Sequence, residues 1–300
     1  MPDSDQAPRA VTAVHAIDGL REIADELSLV ICDLWGVMHN GLQANPAAIE
    51  AITRVRDAGV ASVFLSNAPR PRYHVREQLI RMGMPEALTD YIVTSGGLAR
   101  DAVRDHYVSA KLYHLGPQGD RNTVEGLPVE EVSHPDDADV ILATDLDFRD
   151  VEKHRDWLQN ACERKVPLLC ANPDRVVHVG EKLYTCAGAV ADLYEAMGGP
   201  VEWFGKPTAE SLHTCVTERD LTADTSGDRI IMIGDSLQTD IAGAQAAGFK
   251  SLFIAGGIHR AEWPLVEEAL DHGKLPLPAF HEIFGQAKPV PTYMMKFLEW

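Results

Sequence analysis

An aspartate that directly follows an apolar run is the first feature of this chain with evident chemistry. The run Val30-Ile31-Cys32 ends at Asp33, and Gly36 follows shortly after. That pattern predicts a buried strand that opens into a loop, with Asp33 at its carboxyl end. Open α/β sheets bind their ligands at this edge, and the segment is typical of a phosphoryl-transfer site with one part replaced. Trp35 occupies the position where a second carboxylate is expected.

Two further carboxylates follow an apolar run near the carboxyl terminus. Asp235 closes the Ile-rich segment that ends at Gly234, and Asp240 comes at or near the first turn of the next predicted helix. If these residues face Asp33, the three carboxylates form a cage of hard oxygen ligands suited to Mg²⁺. The alternative is structural, with Asp240 capping the helix and Asp235 starting a turn.

Ser66 and Lys206 complete the set of candidate site residues. Ser66 lies where a strand turns into a loop, so its hydroxyl and the next amide, that of Asn67, can hold a phosphate oxygen. Lys206 precedes Pro207, which suits the first position of a helix, and its ammonium can neutralise phosphate or carboxylate charge. Taken singly, Ser66 also fits a turn before Pro69, and Lys206 also fits a solvated surface.

Composition argues against several classes of protein. The 45 acidic residues outnumber the 27 basic ones, which gives a formal charge of -18, and no clustered basic stripe offsets it. We therefore expect no nucleic-acid or membrane partner. No apolar run approaches the length of a membrane span, and the acidic start of the chain does not fit a signal peptide. Five cysteines without a CxxC pair fit a reducing, cytoplasmic location.

Strand and helix patterns alternate along most of the chain, which predicts a parallel sheet with helices on its faces. The predicted strands cover residues 29–33, 61–65, 111–115, 140–144, 166–171, 229–233 and 251–254, and the predicted helices cover 14–26, 46–57 and 239–247. We expect a core domain from residues 13–95 and 200–300, interrupted by an inserted domain, 96–199, with hinge glycines at both junctions. Residues 1–12 are expected to form a loose tail, and the proline-containing segment 274–291 to wrap the surface.

In their order along the chain, Asp33, Ser66, Lys206 and the segment with Asp235 and Asp240 resemble the four motifs of the haloacid dehalogenase (HAD) superfamily. The resemblance covers most of the chain. The long insertion between Ser66 and Lys206 looks like the C2-type α/β cap of class IIA members, the branch with nitrophenyl-phosphatase-like and sugar-phosphatase-like proteins. The segments Ala171-Asn172-Pro173-Asp174 and Ala187-Gly188-Ala189 are similar to parts of that cap. The expected fold is therefore α/β, a Rossmann-like core with an inserted cap domain.

The resemblance also implies a function and a role for each residue. It implies a Mg²⁺-dependent hydrolase of small phosphate monoesters, in which Asp33 is the nucleophile and forms an aspartyl-phosphate. Ser66 and Lys206 then bind the phosphoryl group. Asp235 holds Mg²⁺ together with Asp33, and Asp240 supports the metal site and Lys206. Further contacts to the substrate are expected from Asn67, Arg70, Asn172 and Asp174.

Trp35 is the departure from the superfamily pattern, in which the residue two after the nucleophile is an Asp that protonates the leaving oxygen. An indole can donate a hydrogen bond but cannot shuttle a proton, whereas its backbone carbonyl can still bind Mg²⁺, as the resemblance implies. General acid and base catalysis is typically worth about 10² to 10⁴ in rate. Either His39 in the same loop replaces the acid, or Trp35 packs beneath the cap or narrows the leaving-group pocket.

Four polar residues of the insertion have two interpretations each. Asp145 and Asp147 follow a predicted strand and are expected either to face the substrate or to shape a loop. Asn172 and Asp174 are expected either to contact the substrate or to form a turn.

Trp35 also motivates a second class of function, a protein that binds a phosphorylated ligand but has lost fast chemistry. A third and weaker expectation is hydrolysis of a carbon–halogen or carbon–phosphorus bond. Arg70 and Arg72 can either bind an anionic substrate or pair with surface acids. The expected partners are a small phosphorylated metabolite, selected by the cap, and a second copy of the chain in a homodimer formed through the cap.

Overall fold

The computed structural model describes residues 12–179, 182–221 and 225–300, so the expected loose tail lies outside the described residues apart from residue 12. The strands are β1 (Ala13–Ala16), β2 (Leu29–Cys32), β3 (Ala61–Ser66), β4 (Ile92–Thr94), β5 (Lys111–Leu115), β6 (Glu130–Val132), β7 (Val140–Ala143), β8 (Leu168–Cys170), β9 (Val176–Val179), β10 (Lys182–Thr185), β11 (Val201–Trp203), β12 (Ile230–Gly234), β13 (Lys250–Ile254), β14 (Lys274–Pro276) and β15 (Tyr293–Met295). The helices are α1 (Pro46–Asp57), α2 (Arg72–Arg81), α3 (Ser95–His106), α4 (Lys153–Glu163), α5 (Ala187–Ala196), α6 (Ala209–Glu218), α7 (Ala242–Ala247), α8 (Trp263–Ala269) and α9 (Leu277–Phe284).

The larger sheet takes its strands from both ends of the chain. Its strand order is β14-β1-β15-β13-β12-β2-β3-β4. All neighbouring strands run parallel except β14, which is antiparallel to β1. The carboxyl ends of β2, β3, β12 and β13 therefore meet along one edge. The expected α/β fold with a mostly parallel sheet is confirmed.

Strand β2 lies in the middle of this sheet and is buried on both faces. Alternate side chains of a strand point to opposite faces. Val30 and Cys32 pack in the same cluster as side chains of α1, while Leu29 and Ile31 pack in the cluster that contains side chains of α6. A strand covered by helices on both sides has no polar face, which explains the unbroken apolar run before Asp33.

The smaller sheet is wholly parallel and comes from the middle of the chain. Its order is β11-β8-β7-β5-β6. Side chains of α4 and α5 pack on one face and those of α3 on the other, and β9 and β10 form a separate antiparallel hairpin. Strand β11 begins at Val201, past the expected boundary at residue 199, so this sheet extends further along the chain than the glycine pattern indicates. The domain boundaries themselves stay a prediction.

Two expectations for the ends of the chain are wrong. Residues Ala13–Ala16 form a strand rather than the start of a helix, because β14 and β15 pair with it on both sides and outweigh its helical apolar spacing. The segment 274–291, expected to wrap the surface, instead contributes β14 and α9. Its Phe280 and Phe284 are buried in the core. The prolines do not prevent a helix here, because Pro276 and Pro278 stand where α9 begins, a position that proline tolerates.

Gly96 and Gly97 do not form the expected hinge, because both lie in the first turn of α3. A Cβ at Gly96 would come within 2.3 Å of the backbone at Pro69 and Arg70. The glycine therefore permits close packing against the loop after β3. None of the described helices is long and apolar enough to cross a membrane.

Candidate active site

The edge formed by the carboxyl ends of β2 and β12 brings three carboxylates together. Asp33 follows β2, and Asp235 follows the neighbouring strand β12. Asp240 reaches the same point from the turn after β12. One oxygen of each carboxylate lies within 4.8 Å of the others, and all three residues are buried. The structure thus places together the carboxylates that the sequence patterns single out.

The Lys206 ammonium lies between two of these carboxylates. Its Nζ forms an ion pair with Asp240 Oδ1 at 2.6 Å and another with Asp33 Oδ1. Only 3% of the Lys206 side chain is exposed. Burial alone would lower the pKa of Lys206, but Asp240 and Asp33 outweigh burial and raise it. The ammonium is therefore charged at neutral pH and neutralises part of the cluster.

Burial and mutual repulsion oppose ionisation of the carboxylates. Burial is the largest cause that raises the pKa of Asp33 to about 7, with Lys206 opposing the shift and Asp240 adding to it. Burial, followed by repulsion from Asp33 and Asp240, raises the pKa of Asp235 well above its ordinary value. The backbone amide of Ile258 counteracts this by donating to Asp235 Oδ2 at 2.9 Å. The cluster as a whole is short of positive charge.

Gly36 allows the loop after β2 to pass close to the end of β12. Its φ is +86°, a left-handed conformation that favours glycine, and a Cβ there would lie 2.0 Å from Asp235 Oδ2. Any larger residue would displace Asp235 from the cluster. This contact explains the glycine three residues after Asp33.

Asp240 is held by a wide turn, Leu237–Ile241, instead of the regular helix expected from residue 239. The amide of Ile241 bonds to the carbonyl of Ser236 at 3.2 Å, five residues back, a π-type bond that is frequent at functional sites. Asp240 Oδ2 accepts from the Ser236 amide at 3.0 Å, which leaves Oδ1 for Lys206. Asp240 therefore supports its own turn and also joins the cluster.

Asn67 links three segments of the site. Its Oδ1 accepts from the Lys206 amide at 2.8 Å, while its Nδ2 donates to the Lys206 carbonyl at 3.1 Å and to Asp174 Oδ1 at 2.9 Å. Gly205 makes this possible, because its φ is +97° and a Cβ there would lie 2.4 Å from Asn67 Oδ1. The Gly-Lys pair is thus docked against the loop after β3.

A cavity of about 730 Å³ lies at this edge, and residues from both sheets line it. All ten site residues expected from the sequence belong to its lining, which includes Asp33, Trp35, Ser66, Asn67, Arg70, Asn172, Asp174, Lys206, Asp235 and Asp240. Ser66 Oγ accepts from the Ala68 amide at 3.2 Å, which leaves its proton for another acceptor. The structure brings these residues together, while the role of each stays a prediction.

Trp35 and His39 form one wall of the cavity. Their rings pack edge to face with centroids 5.2 Å apart. His39 Nδ1 accepts from the Gly41 amide at 3.0 Å, and burial lowers the pKa of His39 to about 4. The ring is therefore neutral at physiological pH and has no imidazolium proton to give. This argues against His39 as the replacement acid and favours the alternative that Trp35 narrows the pocket.

The two arginines after the Ser66 loop have different surroundings. Arg70 lines the cavity and pairs with the buried carboxylate of Asp120 at 2.8 Å. Arg72 pairs with Glu218 at 3.6 Å on the exposed surface. Only Arg70 of this pair is placed to contact a ligand in the cavity.

Asp145 and Asp147 also have different surroundings. Asp145 lines the cavity, and burial raises its pKa. Asp147 accepts hydrogen bonds from the Tyr113 hydroxyl and, at 2.9 Å, from the Gly116 amide, so it shapes the loop after β7.

The sequence patterns do not mark the acidic and imidazole side chains of Asp120, His259 and Glu262, which also line the cavity. No local pattern marks Asp120, which sits in a short turn of the insertion. His259 and Glu262 follow β13, whose carboxyl end lies on the same edge as those of β2 and β12. The rule that selects Asp33 and Asp235 looks for an acidic residue directly after a strand, and β13 is followed by Ala255 and two glycines, so the rule does not find them.

The carboxylate cluster fits a divalent cation such as Mg²⁺. Its three members offer hard oxygen ligands without sulfur or imidazole, which is the donor set that Mg²⁺ prefers. Their combined charge, when ionised, exceeds that of Lys206 by two. Buried charge without compensation is costly, and a divalent cation would supply the missing positive charge.

Comparison with known proteins supports the family that these features indicate. A profile of haloacid dehalogenase-like hydrolases matches residues 30–130, and a second HAD-hydrolase-like profile matches residues 203–272. A crystal structure of a hydrolase of the haloacid dehalogenase-like family from Brucella suis 1330 is 31% identical, with a TM-score of 0.76, and the match covers 94% of this chain and 99% of that one. The chain belongs to the haloacid dehalogenase-like hydrolase family.

Other relatives of this haloacid dehalogenase-like hydrolase carry phosphatase names. The sugar-phosphatase AraL of Bacillus subtilis (strain 168) is 26% identical over 233 residues, which is 76% of this chain and 83% of that protein. A glycerol phosphate phosphatase from Mycobacterium tuberculosis, in complex with magnesium, is 22% identical with a TM-score of 0.67, and the match covers 91% of this chain and 76% of that one. The latter likeness shows the fold alone. The expected superfamily and its class IIA branch are confirmed.

Proposed function

We propose that this haloacid dehalogenase-like hydrolase is a Mg²⁺-dependent phosphatase of small phosphate monoesters that forms an aspartyl-phosphate on Asp33. The observation that carries the proposal is the buried Lys206 ammonium between Asp33 and Asp240, with Asp235 in the same cluster. A carboxylate, a fixed cation and further oxygen ligands in one cavity suit phosphoryl transfer. The name of the relative AraL, a sugar-phosphatase, supports the same class of reaction.

Phosphoryl transfer brings an anionic carboxylate to an anionic phosphate, so positioning and charge neutralisation provide most of the catalysis. Asp33 is the proposed nucleophile, because it pairs with the Lys206 ammonium, whereas the other partner of Lys206, Asp240, also accepts from the Ser236 amide in its own turn. Lys206 and the Ser66 hydroxyl, with the amide of Asn67, hold the phosphoryl oxygens. The covalent intermediate divides the hydrolysis into two easier steps.

Asp33, Asp235 and the Trp35 carbonyl would hold Mg²⁺, with Asp240 in support, and the ion would act as a Lewis acid on the phosphoryl oxygens. Lys206 fixes the positions of Asp33 and Asp240 relative to each other, since it pairs with both carboxylates.

The outer part of the cavity selects the substrate in this proposal. Its volume of about 730 Å³ suits a small metabolite. Polar groups of Arg70, Asn172 and Asp174 line it and can contact the leaving group, while the Trp35 indole limits its width.

A phosphatase panel tests the proposal. Phosphate release from 4-nitrophenyl phosphate and a broad set of phosphometabolites is measured with Mg²⁺ and with EDTA. We expect Mg²⁺ to stimulate release from at least one member and Asp33→Asn to abolish it. Asp147→Asn is the matched control, because Asp147 also follows a parallel strand but accepts its hydrogen bonds from Tyr113 and Gly116, in and just after β5. Full activity in Asp33→Asn, or no release from any compound, would contradict the proposal.

The alternative of a protein that binds a phosphorylated ligand without turnover rests on Trp35 alone, and the names of the relatives do not favour it. A stable complex with a phosphorylated compound that is never hydrolysed would support it. The cytoplasmic location and a homodimer through the cap stay predictions. Light scattering on the purified chain measures the oligomeric state directly.

A further inference from the structure

Proton supply to the leaving group is a part of the reaction that the loop after β2 does not provide. The oxygen that leaves a phosphate ester departs faster when a side chain protonates it. The indole N–H of Trp35 can donate a hydrogen bond but is too weak an acid to give up its proton at neutral pH. His39 accepts a hydrogen bond from Gly41 through Nδ1, so its ring is neutral. The proton donor therefore has to be sought elsewhere in the cavity.

His259 is the other imidazole among the described residues that line this cavity. It stands directly beside backbone that contacts the carboxylate cluster. The amide of Ile258 donates to Asp235 Oδ2 at 2.9 Å, and a Cβ at Gly257 would lie 2.1 Å from the same oxygen. Since consecutive Cα atoms are about 3.8 Å apart, His259 begins one residue from a direct contact with the site.

Its ring is held on several sides. Phe253 and Phe284 pack against it edge to face, each with centroids 5.4 Å away. His259 Nδ1 faces Glu262 Oε2 at 3.9 Å. That carboxylate oxygen is buried and has no hydrogen-bond partner in the described part of the chain. At this distance no hydrogen bond joins the two side chains, and the carboxylate attracts the ring electrostatically when the imidazole is protonated.

We propose that His259, oriented by Glu262, is the proton-transfer residue of the phosphatase reaction, an inference that rests on the proposed function. In the first step, an Asp33 oxygen bonds to phosphorus, the ester P–O bond breaks, and protonated His259 gives its Nε2 proton to the departing oxygen. In the second step, a water oxygen bonds to phosphorus, the bond from phosphorus to Asp33 breaks, and the water proton passes to His259 Nε2. The cycle releases alcohol and phosphate and restores both residues.

The charges around His259 suit a group that alternates between its two forms. Burial lowers the pKa of His259, Glu262 opposes that shift, and Lys288 adds to it. Its aromatic neighbours Phe253 and Phe284 are uncharged. The carboxylate of Asp235 contacts the amide of Ile258, the residue before His259. A bound phosphate dianion favours the imidazolium form. Substrate binding therefore favours the state that the first step needs.

Two aryl phosphates of nearly equal size provide the test. The phenolate of 4-nitrophenyl phosphate is stable enough to leave without a proton, whereas that of phenyl phosphate needs one. We expect His259→Gln to lower kcat/KM for phenyl phosphate about 10²-fold and to change it less than about 5-fold for 4-nitrophenyl phosphate. Glu262→Gln, a change in a positioning residue, should give the same selective loss to a smaller extent. Added imidazole should restore phenyl phosphate turnover to His259→Gly.

His213→Gln is the matched control. The His213 ring also packs edge to face on a phenylalanine, Phe249, with centroids 5.2 Å apart, but it lies outside the cavity. An equal loss on both substrates in His259→Gln, or no loss on either, overturns the inference and leaves the proposed function intact. If wild type with Mg²⁺ hydrolyses neither aryl phosphate nor any metabolite of the panel, the proposed function itself fails.

Discussion

Asn67 donates a hydrogen bond to Asp174 Oδ1 across 2.9 Å, and this contact joins the loop after β3 to the loop after β8. The same side chain holds the amide and the carbonyl of Lys206. Burial raises the pKa of Asp174, and the bond from Asn67 partly offsets that shift. One amide side chain therefore connects the core sheet, the smaller sheet and the candidate catalytic lysine.

Asn67→Ala should weaken both stability and turnover. The variant loses hydrogen bonds to Lys206 and Asp174 and leaves their buried polar groups unpaired, which costs about 1 to 3 kcal/mol of unfolding free energy. Lys206 then moves relative to Asp33, and a displacement of this kind can cost about 10² in kcat/KM. Urea denaturation and steady-state kinetics measure the two effects.

Asn160→Ala serves as the control for this variant, since Asn160 is an exposed residue of α4. It should leave the denaturation midpoint and kcat/KM close to those of wild type. Wild-type kinetics in Asn67→Ala would show that the link between Asn67 and Lys206 has no part in turnover.

The site was predictable from the sequence where chemistry follows directly from a local pattern. Asp33 and Asp235 each end an apolar run, and the parallel neighbours β2 and β12 bring such ends together on any α/β sheet. Gly36 belongs to the same segment as Asp33, although its positive φ and its close approach to Asp235 appear only in the structure. The expected positions of these residues needed no knowledge of the rest of the fold.

Features that depend on distant segments were not predictable in this way. Residues Ala13–Ala16 form β1 only because β14 and β15, from the other end of the chain, pair with them. Arg70 forms an ion pair with Asp120, and no spacing in the sequence relates the two residues. His259 was missed for a different reason, since its strand end was visible but carried no acidic residue to draw attention.

Lys206→Met should destabilise the metal-free protein strongly. The ammonium neutralises the buried carboxylates of Asp33 and Asp240, and breaking a buried ion pair costs about 3 to 5 kcal/mol. Denaturant unfolding in EDTA measures this loss, and Lys274→Met, at an exposed strand position, should show almost none. Equal stability of Lys206→Met and wild type would mean that the carboxylates are protonated or compensated in another way.

The affinity for Mg²⁺ should fall as the solution becomes more acidic. The pKa of Asp33 is raised to about 7 when the metal is absent, so the folded state favours its protonated form. Its stabilising contribution to the metal-free protein is complete below a pH of about 4 and is lost as pH rises through about 7. Mg²⁺ requires the ionised form and displaces the proton, so its affinity should change in the opposite direction.

Calorimetric titration at pH 8 and pH 5.5 tests this coupling. We expect Mg²⁺ to bind at least about tenfold more weakly at the lower pH, with proton release visible as a dependence of the binding enthalpy on the buffer. Asp147→Asn should keep the same pH dependence as wild type. A dissociation constant that does not vary with pH would show that the carboxylates are already ionised without metal.

Trp35→Asp should rescue a variant that lacks His259 and change wild type little. Trp35 lines the same cavity as His259, so a carboxyl group at that position can deliver a proton to the leaving oxygen. In the His259→Gln background we expect kcat/KM for phenyl phosphate to rise by about tenfold or more, because an acid is then present again. In the wild-type background His259 already supplies the proton, and the added carboxylate increases repulsion near Asp33 and Asp235. A large gain from Trp35→Asp alone would instead mean that proton supply limits the natural protein and that His259 does not provide it.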